Sequence, residues 1–263
     1  MRPRIVALAV ALVACALARA AAAQEFAAPA PAGEPGIAAA LEHGLVAADH
    51  AWGVTALAVR WNGLAELETR SVALAMGWRT ARAAIGVSQT GEQDIGWSAL
   101  ALAAGAAGGA GGFALRGVAR RRDAEIPERA WGGEVGAGAW VAASSNVTVW
   151  ASAPQLWLRG DAPPLARWLE AGARLAVDGG AVWLARAAAP GAPQGLRAEH
   201  RGGIAAALGP AAVWLEGKDH PARGMFGLSA AWRGVQVSAA IEGHPVLGET
   251  TRVALAWGDR PWW

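Results

Sequence analysis

The residues of this chain best suited to catalysis or metal binding are five histidines, His43, His50, His200, His220 and His244, and one cysteine, Cys15. A serine hydrolase needs a hydroxyl and an imidazole within hydrogen-bond reach. No G-x-S-x-G occurs here, and no serine is marked out beside a histidine. Asp219-His220 pairs an imidazole with a carboxylate. Side chains adjacent in an extended chain point apart, however, and "KDHPAR" (218–223) reads as a solvated turn. "GGAGG" (108–112) lacks the Lys-Ser/Thr of a phosphate loop and reads as a turn. Asn146-Val147-Thr148 has the glycosylation pattern, in the wrong compartment for a bacterium. One cysteine permits neither a disulfide nor a thiolate metal site. The reading is a chain with no catalytic set, no metal constellation and no cofactor.

Spacing is more informative among the charges. Arg116, Arg120, Glu134, Glu170, Arg174, Glu216, Lys218, Glu242 and Arg252 alternate mostly with apolar neighbours. In strands, that places them together on one face, opposite the large apolar residues. They would either pair across an enclosed interior or form a charged constriction. Glu170 and Arg174 lie about 13 Å apart along one strand, too far to pair directly. Arg174 and Arg252 are therefore expected each to find a carboxylate elsewhere, with Glu170, Glu216 and Glu242 supplying most of them.

The elements that must position these charges begin after an export signal. Arg2 and Arg4, the apolar run 5–17 and Ala21-Ala22-Ala23 read as a signal peptide over 1–23, with the mature chain starting at Gln24. The alternative is lipoprotein cleavage at Leu12-Val13-Ala14-Cys15, leaving a lipidated Cys15. Without Arg2, Arg4 and Arg19 the formal net charge falls from +2 to −1, which argues against nucleic acid as a partner. Two uncharged stretches, 95–115 and 135–158, are long enough for membrane helices. Their centres, "GAAGGAGG" (105–112) and "SSN" (144–146), are turn sequences instead.

Period-two alternation recurs from Glu68 to the C-terminus. In "FGLSAAWRGVQVSAAI" (226–241) Phe226, Leu228, Val237 and Ile241 alternate with glycine, serine, alanine and glutamine, and in 250–258 Val253, Leu255 and Trp257 oppose Arg252, Ala254 and Ala256. Trp140 and Trp183 fall out of phase. Short connections such as Asp178-Gly179 and Arg233-Gly234 alternate with longer, more polar ones, including 121–131, 153–165 and 188–195. A transmembrane barrel has that asymmetry between its rims. The fold class expected is all-β, an antiparallel up-and-down barrel of about 14 strands, with 12 as the alternative, over 52–263. The large face would meet outer-membrane lipid, and the small and charged face would line the lumen. Trp78, Trp232 and Trp257, at strand ends, are candidates for an aromatic girdle. Residues 24–51 form an N-terminal mobile or plug segment in which Ile37, Leu41 and Leu45 share one face of a short helix.

"RWNGLAEL" (60–67) resembles the W-N-P-A-G-L-A segment of the outer-membrane fatty-acid transporter barrels and of the related type IX secretion shuttle barrels. Trp61, Asn62, Gly63, Leu64 and Ala65 carry the match, without the intervening Pro-Ala. The resemblance implies passage of small, hydrophobic solutes through a plugged barrel, or a role in protein export with a protein partner at the loops. In those families the segment follows an N-terminal hatch and precedes the first strand. Here "WGVTALAVRW" (52–61) reads as a strand ahead of it.

Overall fold

A computed structural model describes residues 26, 30–47, 52–91, 96–122, 131–160, 168–189, 198–220 and 222–258. Alternating large and small residues fold into strands paired with their sequence neighbours. These are β1 (Trp52–Arg60), β2 (Glu68–Trp78), β3 (Ala81–Thr90), β4 (Trp97–Gly108), β5 (Gly111–Arg122), β6 (Trp131–Ala142) and β7 (Val147–Gly160). They continue as β8 (Leu169–Val177), β9 (Gly180–Ala188), β10 (Glu199–Leu208), β11 (Ala211–Asp219), β12 (Ala222–Trp232), β13 (Val235–His244) and β14 (Gly248–Gly258). β1 and β14 close the barrel, with Gly53 opposite Gly258 and Arg60 opposite Thr251. Closure removes every free sheet edge, the condition for strands to cross hydrocarbon. The count is fourteen, not twelve, and no described helix is long and apolar enough to cross a membrane.

The tight turns set the rims. Arg233 and Gly234 both have positive φ (49° and 80°), the conformation that lets a two-residue turn follow the twist of its strands. The ends of β1 and β14 that meet at Gly53 and Gly258 lie at this same short-turn rim. "WNGLA" does not precede the first strand. It forms the β1–β2 connection at the opposite rim, with a short 3-10 turn at Trp61–Gly63.

β7 departs from the sequence reading. Residues 153–160, expected in a loop, continue the strand and pair with β6 across a bulge between Val135 and Ala137. Pairing of β7 with β8 runs only from Val147–Leu175 to Ser152–Glu170. Pro154 lies just past that point and has no N–H to offer a ladder.

Outward positions are large and apolar: Val237 and Ile241 on β13, and Val253 and Leu255 on β14, are all exposed. Gln236, Ser238, Glu242 and Arg252 between them are buried. The interior is not uniformly small, however. Trp140, Trp150, Trp183 and Trp214 point inward and are buried. Each is paired directly with a glycine on a neighbouring strand: Gly112, Gly172, Gly203 and Gly227 respectively. A Cβ at any of these glycines would overlap the ring, so the indole lies across the space the glycine leaves.

Candidate functional site

The enclosed interior is the candidate site, and the N-terminal segment occupies part of it. Helix α1 (Ile37–His43) contacts β1 to β7. Seven residues are too few for a stable isolated helix, so its support is tertiary. Gly44 ends it in the left-handed conformation (φ 70°), its N–H bonding Ala40 O at 3.1 Å. Phe26, Ile37, Leu41, Leu45 and Val46 are buried against Ala84, Ala99, Ala101, Ala103 and Ala114. Small residues make that approach feasible. A Cβ at Gly86 would lie 2.6 Å from Leu41, and one at Gly138 would overlap the His43 carbonyl.

Polar contacts fix the segment further. Arg116 Nε donates to Leu41 O (2.5 Å), Trp140 Nε1 to Val46 O (2.8 Å), Ser152 Oγ to His43 O (2.7 Å) and Arg82 Nε to Ala47 O (2.8 Å). Arg174 pairs with Glu34 on the segment itself. Arg116 and Arg120 clasp Glu134 from β5, at 2.6 and 2.9 Å, and all three are buried. Burial, with the nearby charges of Arg201 and Arg116, pushes the His43 pKa down to about 3. His43 is therefore neutral in the docked segment.

The other side of the interior carries a connected ion network. Glu242 accepts from Lys218 Nζ (3.2 Å), Arg223 Nη1 (2.9 Å) and Arg252 Nη2 (3.2 Å). Lys218 also lies 3.8 Å from Glu216, which accepts from Trp183 Nε1 at 2.9 Å. Arg201 pairs with Glu170 and Arg223 with Glu199, while Glu170 accepts from Trp150 Nε1 at 3.2 Å. Arg252 stacks over the Trp61 ring, 5.7 Å from its centroid. The Nε atoms of Arg201, Arg223 and Arg252 and Trp214 Nε1 are buried donors without a protein partner.

The structure thus places Arg116, Arg120, Glu134, Glu216, Lys218, Glu242 and Arg252 in the interior, with Glu170 and Arg174 half-buried. Glu34, Glu199, Arg201 and Arg223 join them, none singled out from the sequence. Trp78, Trp232 and Trp257 are exposed at the short-turn rim, where Arg79 and Arg233 stack on Trp78 and Trp232 at 5.2 and 4.7 Å. His50, Cys15 and the 1–23 signal lie outside the described residues.

No family model and no curated protein matches this chain. Among solved structures it is similar to the Ralstonia pickettii toluene transporter TbuX. That match has a TM-score of 0.57 and 11% identity, covering 90% of this chain and 99% of that one. A Rhodopseudomonas blastica porin matches at TM-score 0.42 and 12% identity, over 80% of this chain and 99% of that one. The likeness to TbuX is one of fold. It shows a closed antiparallel barrel, and TbuX is not titled as a secretion shuttle.

Proposed function

We propose that this protein is an outer-membrane channel or transporter for small, hydrophobic solutes, and that its N-terminal segment, residues 24–51, is a plug. One observation carries the reading: a segment separate from the wall is docked in the lumen through apolar contacts and a few hydrogen bonds. Such a segment can leave or shift without breaking a strand ladder. The likeness to a structure titled as a toluene transporter supports it. On this reading the charges from Arg116 to Arg252 line the conduit and hold its shape. The chain reaches the outer membrane through the 1–23 signal, and Trp78, Trp232 and Trp257 sit at the lipid boundary.

The test is single-channel conductance and toluene uptake in proteoliposomes, comparing the mature chain with one lacking residues 24–47. Larger conductance on deletion, with toluene uptake by the mature chain, is the expected result. A deleted barrel that folds, shown by heat-dependent gel migration, yet neither conducts nor takes up solute would end the transport reading.

A further inference from the structure

His200, Asp219 and His220 meet at the rim of the longer connections, on the outer face of the wall. On β10, His200 and Ile204 are exposed while Arg201 between them turns inward. On β11, Lys218 is buried and Asp219 exposed. The register Arg201↔Lys218 sets His200 opposite Asp219, and His220 follows in the adjoining turn. The Asp219 carboxylate lies between the two imidazoles. Its Oδ2 is 2.8 Å from His200 Nδ1, and its Oδ1 is 3.0 Å from His220 Nδ1. The His200 backbone N–H also donates to Oδ1 at 2.7 Å, which fixes the carboxylate to the opposite strand. One ligand atom from each residue lies within 4.8 Å of the other two.

We propose that these three residues form a binding site for a divalent transition-metal ion of the zinc class. With metal–ligand distances of about 2.0–2.2 Å, tetrahedral zinc sets its ligands about 3.3 Å apart. The carboxylate-to-imidazole spacings, 2.8 and 3.0 Å to different oxygens, are shorter than that, so the metal would replace two hydrogen bonds and move each imidazole outward by a few tenths of an ångström. Two imidazoles and one carboxylate form a donor set that suits zinc, and three protein ligands leave a position open. The neighbouring Lys218 and Arg223 are engaged in the interior network, while the exposed Arg186, on the outer face, is the register partner of His200 on β9. Strand register holds two of the three ligands, and the third is their chain neighbour.

Zinc titration of the tag-free full chain, folded in detergent, tests this by calorimetry. One equivalent per barrel is expected, and the H200A–H220A double variant should bind at least about a hundred-fold more weakly. His244→Ala should bind as the parent does. Both variants expose no core, and heat-dependent gel migration checks their folding. The proposal is overturned by an absence of saturable binding, by unchanged affinity in H200A–H220A, or by half an equivalent per barrel, which would mean zinc bridging two molecules.

Discussion

Strands β3 to β6 turn Ala84, Gly86, Ala101, Ala103, Ala114 and Gly138 inward, whereas β9 to β14 turn in Trp183, Trp214, Glu216, Lys218, Glu242 and Arg252. Both stretches alternate with lipid-sized residues on the outside. They differ in what fills the space between the walls. On the first side it is another part of the chain, admitted by alanine and glycine and held by Trp140 and by Arg116 of the Arg116–Arg120–Glu134 cluster. On the second the wall fills itself, with indoles laid over glycines and with charges linked to one another. A run of tiny inward residues in a barrel can therefore mark a socket as well as a water-filled lining.

The largest effect should come from the self-filled side. Glu242 bonds three cations at once, so Glu242→Ala takes the paired carboxylate from Arg252 and leaves Lys218 and Arg223 with Glu216 and Glu199 alone. Removing one partner of a buried ion pair costs about 3–5 kcal/mol. A lower urea midpoint is expected, together with a shift of bilayer ion selectivity towards anions.

On the socket side, Gly138→Val drives a side chain into the His43 carbonyl. Overpacking of this kind costs about 1–3 kcal/mol, and moving the segment away relieves it. The barrel should fold while residues 30–47 become accessible to protease and conductance rises. Gly217→Val, with open space around its Cβ, should change none of these. Equal effects from the two variants would mean that the clash with the segment is not what releases it.

The wall was legible in the sequence because period two needs no partner to be recognised: β13 and β14 follow from their alternation alone. What each inward residue touches was not, since that depends on register. Trp183 is out of phase until Gly203 is known to lie opposite it. Arg174 finds Glu34, from a segment whose docking no strand pattern encodes. His200 and Asp219 are 19 residues apart and meet only through the β10–β11 pairing. The loop assigned to 153–160 is a strand because β6 alone supports it, and its Pro154 concealed that.

Acid should loosen the socket side further. His43 has its pKa lowered from 6.5 to about 3 when docked, so the released segment binds a proton that the docked one excludes. Docking is unaffected above pH 6.5 and loses ground progressively as pH falls towards 3. At pH 5 the loss is about 2 kcal/mol. Protease accessibility of residues 30–47 should rise over that window in the parent and less steeply in His43→Gln, which loses this titration but keeps the acid-sensitive Glu34–Arg174 pair.

The smallest expected effect separates the two sides through one atom on each. Trp140 Nε1 donates to Val46 O on the docked segment, and Trp183 Nε1 donates to Glu216 in the wall network. Phenylalanine at either position keeps an aromatic side chain and removes the donor together with the indole atoms that lie over the opposed glycine, a truncation common to the two variants. A neutral hydrogen bond is worth about 1 kcal/mol, and one to a charged group about 1.5–3. Trp140→Phe should therefore weaken docking by the smaller amount, seen as faster proteolysis of residues 30–47 with the urea midpoint of the barrel unchanged. Trp183→Phe should do the reverse, lowering the midpoint and leaving proteolysis at the parental rate. The two readouts are independent, because Val46 belongs to the segment and Glu216 to β11. A variant that moved both would mean that the segment and the ion network release together.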